Sequence, residues 1–355
     1  METFYITYDG IIWGGLVIAL LAATVNALAA DDPHTGIAPA TGGFFLVSVL
    51  TLLYGLRPVH AHYIDMLTYE RAFRRYARGG NESSFTDPLF DRMYHFAASI
   101  MSVELFFFLV AIVYIVGRAI GAKMLVGPRW PLLLATMASS FHFYAHGTNV
   151  IRAGMAGSFA LIAIASSKWW KKILLFLVAA GIHLSMLLPM AAHLAATRIR
   201  DLRIPLAFWF LCIPASLFLP TEALSGFAER FGETRGEYFL EDGEFQRRYR
   251  FDFILYSSAA VAAICGWKWI AKYEDERYEL IAKTYLLANG AWILVNDVAF
   301  SDRFAYLSWF LIEIVFLYPL LTRPRLARTY AWPAALAIII ANVALGIVAL
   351  GPVSS

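Results

Sequence analysis

Apolar runs long enough to cross a lipid bilayer follow one another along almost the whole chain, and that limits its fold more than any other feature. A hydrocarbon core about 30 Å thick needs roughly 17–25 apolar residues of helix. Within it every backbone N–H and C=O must be satisfied inside the protein. Runs of this length fall near 11–29, 37–56, 93–117, 130–147, 148–167, 203–219, 251–271, 279–299, 304–322 and 329–350. Composition agrees, with 60% hydrophobic and 15% charged residues, against about 45–50% and 25% in soluble domains. The expectation is an all-α polytopic membrane protein, a single integral domain over 1–355 with about ten transmembrane helices. A net charge of +3 gives no reason to expect a nucleic-acid partner. Cys212 and Cys265 both lie in apolar runs, so no disulfide framework is implied. The first residues lack the basic start of a signal peptide, so the first run is expected to be a retained span.

The interval 171–197 is long for one span and short for two. Lysine and arginine in short loops favour the cytoplasm. Such clusters are Arg118/Lys123/Arg129, Lys168/Lys171/Lys172, Arg198/Arg200/Arg203, Lys268/Lys272/Arg277 and Arg323/Arg325/Arg328. They all lie inside if 171–197 is a broken or re-entrant helical hairpin turning near Gly181–Ser185. Each arm would then be short, about 12 residues or 18 Å. One long tilted helix is the alternative. With the hairpin, both termini and the hydrophilic segments 57–92 and 220–250 face outward, as does the Asp297–Arg303 turn.

Within 57–92, Met66, Tyr69, Phe73 and Tyr76 recur at helical spacing, with Arg71, Arg74, Arg75 and Arg78 between and after them. This predicts an amphipathic helix on the outer surface, its apolar face in the headgroups. Asp65 and Tyr69 share a face one turn apart. Residues 220–250 repeat the theme, with Leu224, Phe227 and Phe231 followed by acidic and then basic residues up to Arg250.

Ionisable groups at membrane depth cost roughly 2.5 kcal/mol or more at a helix centre and mark sites by default. Arg152 heads an apolar run in Asn149-Val-Ile-Arg152-Ala-Gly-Met-Ala156, and His183 stands in Gly181-Ile-His183-Leu-Ser185. Counting from Lys168, Arg152 lies about 24 Å up a helix, near the outer boundary of the hydrocarbon. Counting from Lys171, His183 lies about 18 Å up, somewhat beyond the midplane. Asp302-Arg303 opens a late span from the same side. Arginine grips phosphate oxygens with two parallel hydrogen bonds. Histidine, whose ordinary pKa is about 6.5, takes a proton from a hydroxyl near neutral pH. Together they suit group transfer from a lipid diphosphate without a metal or other cofactor. The alternative readings are an arginine that snorkels to the surface and a histidine and Ser185 that hydrogen-bond between helices. His142 and His146 are four apart on the preceding span and read as interfacial polar groups or sugar contacts. Glu104, within the third span, is expected to have a buried partner. No Gly-rich phosphate loop and no HExxH motif occurs.

Arg57-Pro-Val, Asp65-Met-Leu-Thr-Tyr69 with Phe73, Asn149-Val-Ile-Arg152, Ile182-His183-Leu-Ser185 and Arg303-Phe-Ala-Tyr306 occur in this order. With the hydropathy around them they resemble the EpsG/Wzy-like family of bacterial polysaccharide polymerases. Ala153 stands where that family usually has glutamine. The resemblance implies a multi-pass glycosyltransferase of the bacterial inner membrane. It would join oligosaccharide repeat units, donor and acceptor both carried on undecaprenyl diphosphate, at the periplasmic face. Membrane lipid and a chain-length regulator are further candidate partners. The site expected is Arg152 as diphosphate clamp, His183 as base and Asp65 beside them. Arg57, Tyr69, Asn149, Ser185, Arg250, Asp302 and Arg303 would contact substrate. A flippase for lipid-linked sugars and a membrane O-acyltransferase are the rival functions.

Overall fold

The computed structural model describes residues 15, 17, 41–60, 63, 65–80, 85–218, 249–297 and 301–349. Most of the expected first span and nearly all of 220–250 lie outside the described residues. All regular structure among the described residues is helical. Backbone contacts divide the chain into two compact units, Met1–Ile182 with Leu320–Ser355, and His183–Pro319.

The first unit contains α1 (Thr41–Gly55), α2 (Met66–Ala77), α3 (Pro88–Ile100), α4 (Val103–Val126), α5 (Trp130–Ala138), α6 (Phe141–Thr148), α7 (Ile151–Ala165) and α8 (Trp169–Ile182). The second contains α9 (Leu187–Ala196), α10 (Arg203–Phe218), α11 (Phe251–Cys265), α12 (Glu276–Ile293) and α13 (Ser301–Trp309). Helix α14 (Ile312–Thr322) contains the second boundary, and α15 (Trp332–Ala349) returns to the first unit.

Among the described residues, four helical stretches are long and apolar enough to cross a membrane: Val103–Ala138, Phe251–Ile270, Ser301–Thr322 and Pro324–Gly346. The count becomes five if α6 and α7, bent by 117° at a short break, form one span. The sequence expectation of about ten spans differs because several apolar runs are cut into pieces too short to cross alone. Helix α6 has 8 residues and α9 has 10, and most of the first run lies outside the described residues. The cluster Arg118/Lys123/Arg129 is not a loop. Arg118 and Lys123 belong to α4, and Arg118 is buried with its guanidinium 5.6 Å from the Tyr114 ring. Only at Gly127, with φ +62°, does α4 end.

Small residues let α4 and α7 approach, as helices in lipid require when no hydrophobic force separates helix from tail. A Cβ on Gly117 would meet Ser158 at 2.7 Å, and one on Gly121 would meet Leu161 at 2.6 Å. Ser158 Oγ donates to the Tyr114 carbonyl at 2.8 Å. From α15, Asn342 Nδ2 donates to Ser139 Oγ at 3.1 Å.

The amphipathic helix expected within 57–92 is α2. Its apolar face is not left to the headgroups but is covered by protein. Phe73 meets Tyr94 at 5.2 Å and Phe106 at 6.0 Å, and the Tyr94 hydroxyl donates to the Tyr69 carbonyl at 2.6 Å. Aromatic side chains on α3 and α4 make this possible, by offering α2 a surface more complementary than lipid.

The second unit is held by buried polar groups. Asn289 on α12 accepts from Trp209 Nε1 at 2.7 Å and donates to Ser257 Oγ at 3.1 Å and Ser308 Oγ at 2.9 Å. Trp309 Nε1 donates to the same Ser257 Oγ at 2.8 Å. Lys283 reaches the Ile199 and Arg200 carbonyls, both at 3.0 Å.

Candidate functional site

The elbow between α6 and α7 presents Arg152. Helix α6 ends at Thr148, with the Asn149 and Val150 N–H groups both donating to the Ala145 carbonyl. Helix α7 then restarts at Ile151, turned by 117°. Gly154 allows the turn to be this tight, because a Cβ there would lie 2.5 Å from the backbone oxygen of His146. Val150 makes no side-chain cap, so the first N–H groups of α7 have no capping side chain. Arg152 stands in this first turn, where the helix dipole also favours an anion.

The Arg152 side chain is 19% exposed. Its Nε donates to the Tyr69 hydroxyl at 3.1 Å, and its Nη1 is ion-paired to Asp87, whose side chain is fully buried. The guanidinium carbon lies 5.2 Å from the Phe85 ring centroid and 5.9 Å from those of Tyr69 and Phe90. Such contacts contribute about 0.5–2 kcal/mol each, depending on desolvation. The fold thus brings Tyr69, from α2, against Arg152.

Arg57 follows α1 and is buried. It donates to the Tyr54 carbonyl and to Met66 Sδ and sits 5.6 Å from the Phe107 ring, which in turn meets Tyr69 at 6.3 Å. It shares the aromatic cluster rather than the solvent. Asp65 is the N-cap residue of α2, one turn before Tyr69, and its side chain makes no cap hydrogen bond. Asn149 stands at the elbow with a buried Oδ1 that has no hydrogen-bond partner among the described residues.

The second unit holds the remaining expected residues. Helix α8 ends at Ile182, His183 is extended with φ −151° and ψ 110°, and a tight turn over Leu184–Met186 leads into α9. His183 and Ser185 are buried. This turn packs against α13, which carries Asp302 and Arg303. Tyr306, one turn after Asp302 on α13, is buried. Arg250 is the N-cap residue of α11 without a side-chain cap bond; it grips Asp252 through Nε at 2.9 Å and Nη2 at 2.7 Å and lies 3.3 Å from the Phe253 ring centroid.

Asp87, Phe85 and Phe90 were not foreseen from sequence. Thr86-Asp87-Pro88 reads as an ordinary helix start, and only the fold brings it to Arg152. His142 and His146, expected at the interface, are buried in α6, with His142 Nδ1 3.4 Å from Ser140 Oγ. Glu104 is exposed in the first turn of α4, not buried. Among the described residues no three His, Cys, Asp or Glu side chains gather as metal ligands would.

No curated protein and no solved structure matches the chain significantly. A family model, that of the EpsG family, matches residues 43–348, a stretch that includes both clusters. The chain therefore belongs to the EpsG family, a family of polysaccharide polymerases, and is a helical membrane protein of polysaccharide biosynthesis.

Proposed function

We propose that this protein polymerises oligosaccharide repeat units carried on undecaprenyl diphosphate, at the periplasmic face of the bacterial inner membrane. The observation that carries the reading is Arg152 in the uncapped first turn of a half-helix at a 117° elbow. Half-helix N-termini of this kind serve anionic substrate groups in membrane transport proteins, and the physics is the same for a diphosphate. Arg152 would hold the diphosphate of the donor. A hydroxyl of the acceptor sugar attacks the anomeric carbon, and the bond from that carbon to the diphosphate oxygen breaks. The undecaprenyl diphosphate leaves with the electron pair, and the hydroxyl proton passes to His183. Energy comes from cleavage of the bond between the sugar's anomeric carbon and the diphosphate oxygen, with the diphosphate as a stable leaving group.

In this reading 171–197 is a hairpin that keeps the lysine and arginine clusters cytoplasmic. Arg57, Asp65, Tyr69 and Asn149 shape the donor side. Ser185, Arg250, Asp302 and Arg303 contact the remaining substrate. Cells carrying Arg152→Lys or His183→Ala at wild-type membrane levels should lose high-molecular-weight polymer. Normal polymer from both variants would refute the site.

A further inference from the structure

Asp87 is the N-cap residue of α3, directly before Pro88. An aspartate there ordinarily accepts a hydrogen bond from the first turn, contributing about 1 kcal/mol. Asp87 makes no such bond. Its carboxylate turns instead to Nη1 of Arg152, 65 residues along the chain. The pair is lopsided, because Asp87 is fully buried while the Arg152 side chain keeps 19% of its surface exposed. Stability alone is a weak reason for such a pair, since apolar residues of similar volume commonly do as well or better.

The segment that carries Asp87 is itself tied down. Asp91 Oδ1 accepts from the Phe85 N–H at 3.2 Å and from the Tyr76 hydroxyl at 2.5 Å. Phe85 and Tyr69 are tilted by 30° with centroids 5.6 Å apart, and both flank the guanidinium. The Tyr69 hydroxyl takes Nε, so two separate groups fix the plane of the fork.

We propose that Asp87 is the positioning residue of the Arg152 site. It orients the guanidinium and offsets part of its charge, so that the exposed edge meets a lipid diphosphate in the geometry of its departure rather than in the tightest resting grip. This rests on Arg152 being the diphosphate contact. Interactions that strengthen only in the transition state raise turnover, whereas those made equally in the ground state do not. Removing the carboxylate charge therefore leaves a more positive and less directed arginine. Binding persists or tightens while turnover falls, a split that a loss of structure does not produce.

The test uses the full-length protein in detergent and farnesyl diphosphate as probe, with polymer yield read in cells lacking their own copy of the protein. Asp87→Asn should bind the probe as tightly as wild type or up to about tenfold tighter, while polymer falls by about tenfold or more. If Asp87→Asn does not accumulate, Asp87→Glu keeps the charge one methylene further out and should show the same split at smaller size. Weakened binding together with lost polymer would assign Asp87 a merely structural role and overturn the proposal, as would unchanged polymer. Arg152→Ala reports on the underlying reading: loss of probe binding supports it. Retained binding in Arg152→Ala with wild-type polymer would overturn the clamp, and the positioning role with it.

Discussion

The Arg152 Nε donates to the Tyr69 hydroxyl at 3.1 Å across 83 residues of sequence, and the Tyr69 backbone carbonyl in turn accepts from Tyr94. One tyrosine thus joins the elbow of α7 to the aromatic core of α2 and α3. Its two contributions are separable. Tyr69→Phe removes the hydrogen bond and keeps the ring, so polymer synthesis should fall by about tenfold to a hundredfold, matching a loss of about 1.5–3 kcal/mol for a bond to a charged group. Tyr69→Ala also removes the ring faces against Phe85, Phe90 and Phe107, and should abolish polymer. Gel profiles of the two variants at equal membrane level decide this.

Truncating Arg152 has a cost beyond chemistry. Arg152→Ala leaves Asp87 buried without that cation, a change that costs about 3–5 kcal/mol when a buried pair is broken. Thermal unfolding in detergent should show a clear drop in midpoint. Replacing both partners, as in Asp87→Leu with Arg152→Met, should recover most of the stability and none of the polymer. A double variant as unstable as Arg152→Ala would show that the site depends on the charges for its fold.

The reach and the limit of the sequence are both visible around this arginine. Arg152 stands out as a charge at the head of an apolar run, and Tyr69 as part of a helical stripe, because both signals are local. The elbow is not legible. Hydropathy divides 130–167 into two spans and cannot register a half-helix, since a broken helix and an unbroken one bury the same residues. Asp87 is hidden by a stronger local reading, an aspartate before proline at a helix start. Likewise the stripe on α2 fixes which face is buried, but not that aromatic rings, rather than lipid, bury it. The break at His183 falls where Gly181–Ser185 interrupts a lysine-flanked apolar run, a signal carried by length and charge.

The elbow itself should be sensitive to one methyl group. Gly154→Ala places a Cβ 2.5 Å from the His146 carbonyl oxygen, a backbone atom that cannot swing away. Overpacking of this kind costs about 1–3 kcal/mol, and any relief opens the turn that presents Arg152. Lower thermal stability and short polymer are expected together. Gly266→Ala is the control, because nothing lies within 4 Å of its added methyl, and it should leave both unchanged.

The polar core of the second unit makes a separate prediction. Asn289→Ala removes the acceptor of Trp209 and a donor to each of Ser257 and Ser308. Bonds between membrane helices average about 0.6 kcal/mol each, while a buried donor left unsatisfied costs about 1–3 kcal/mol. The loss should therefore total about 2–4 kcal/mol, read as a lowered unfolding midpoint. Asn289→Asp keeps an acceptor facing Trp209 but loses both donors and buries an unpaired carboxyl, so it should cost at least as much as Asn289→Ala.

The central claim is that a lipid diphosphate, held by Arg152, supplies the energy for polymerisation. Purified full-length protein in lipid nanodiscs, given only lipid-diphosphate-linked repeat units from its own host, tests it most directly. A ladder of longer lipid-linked products from wild type, and none from Arg152→Lys or from Asp87→Leu with Arg152→Met, is the expected result. A full ladder from those variants, or none from folded wild-type protein, would contradict the account.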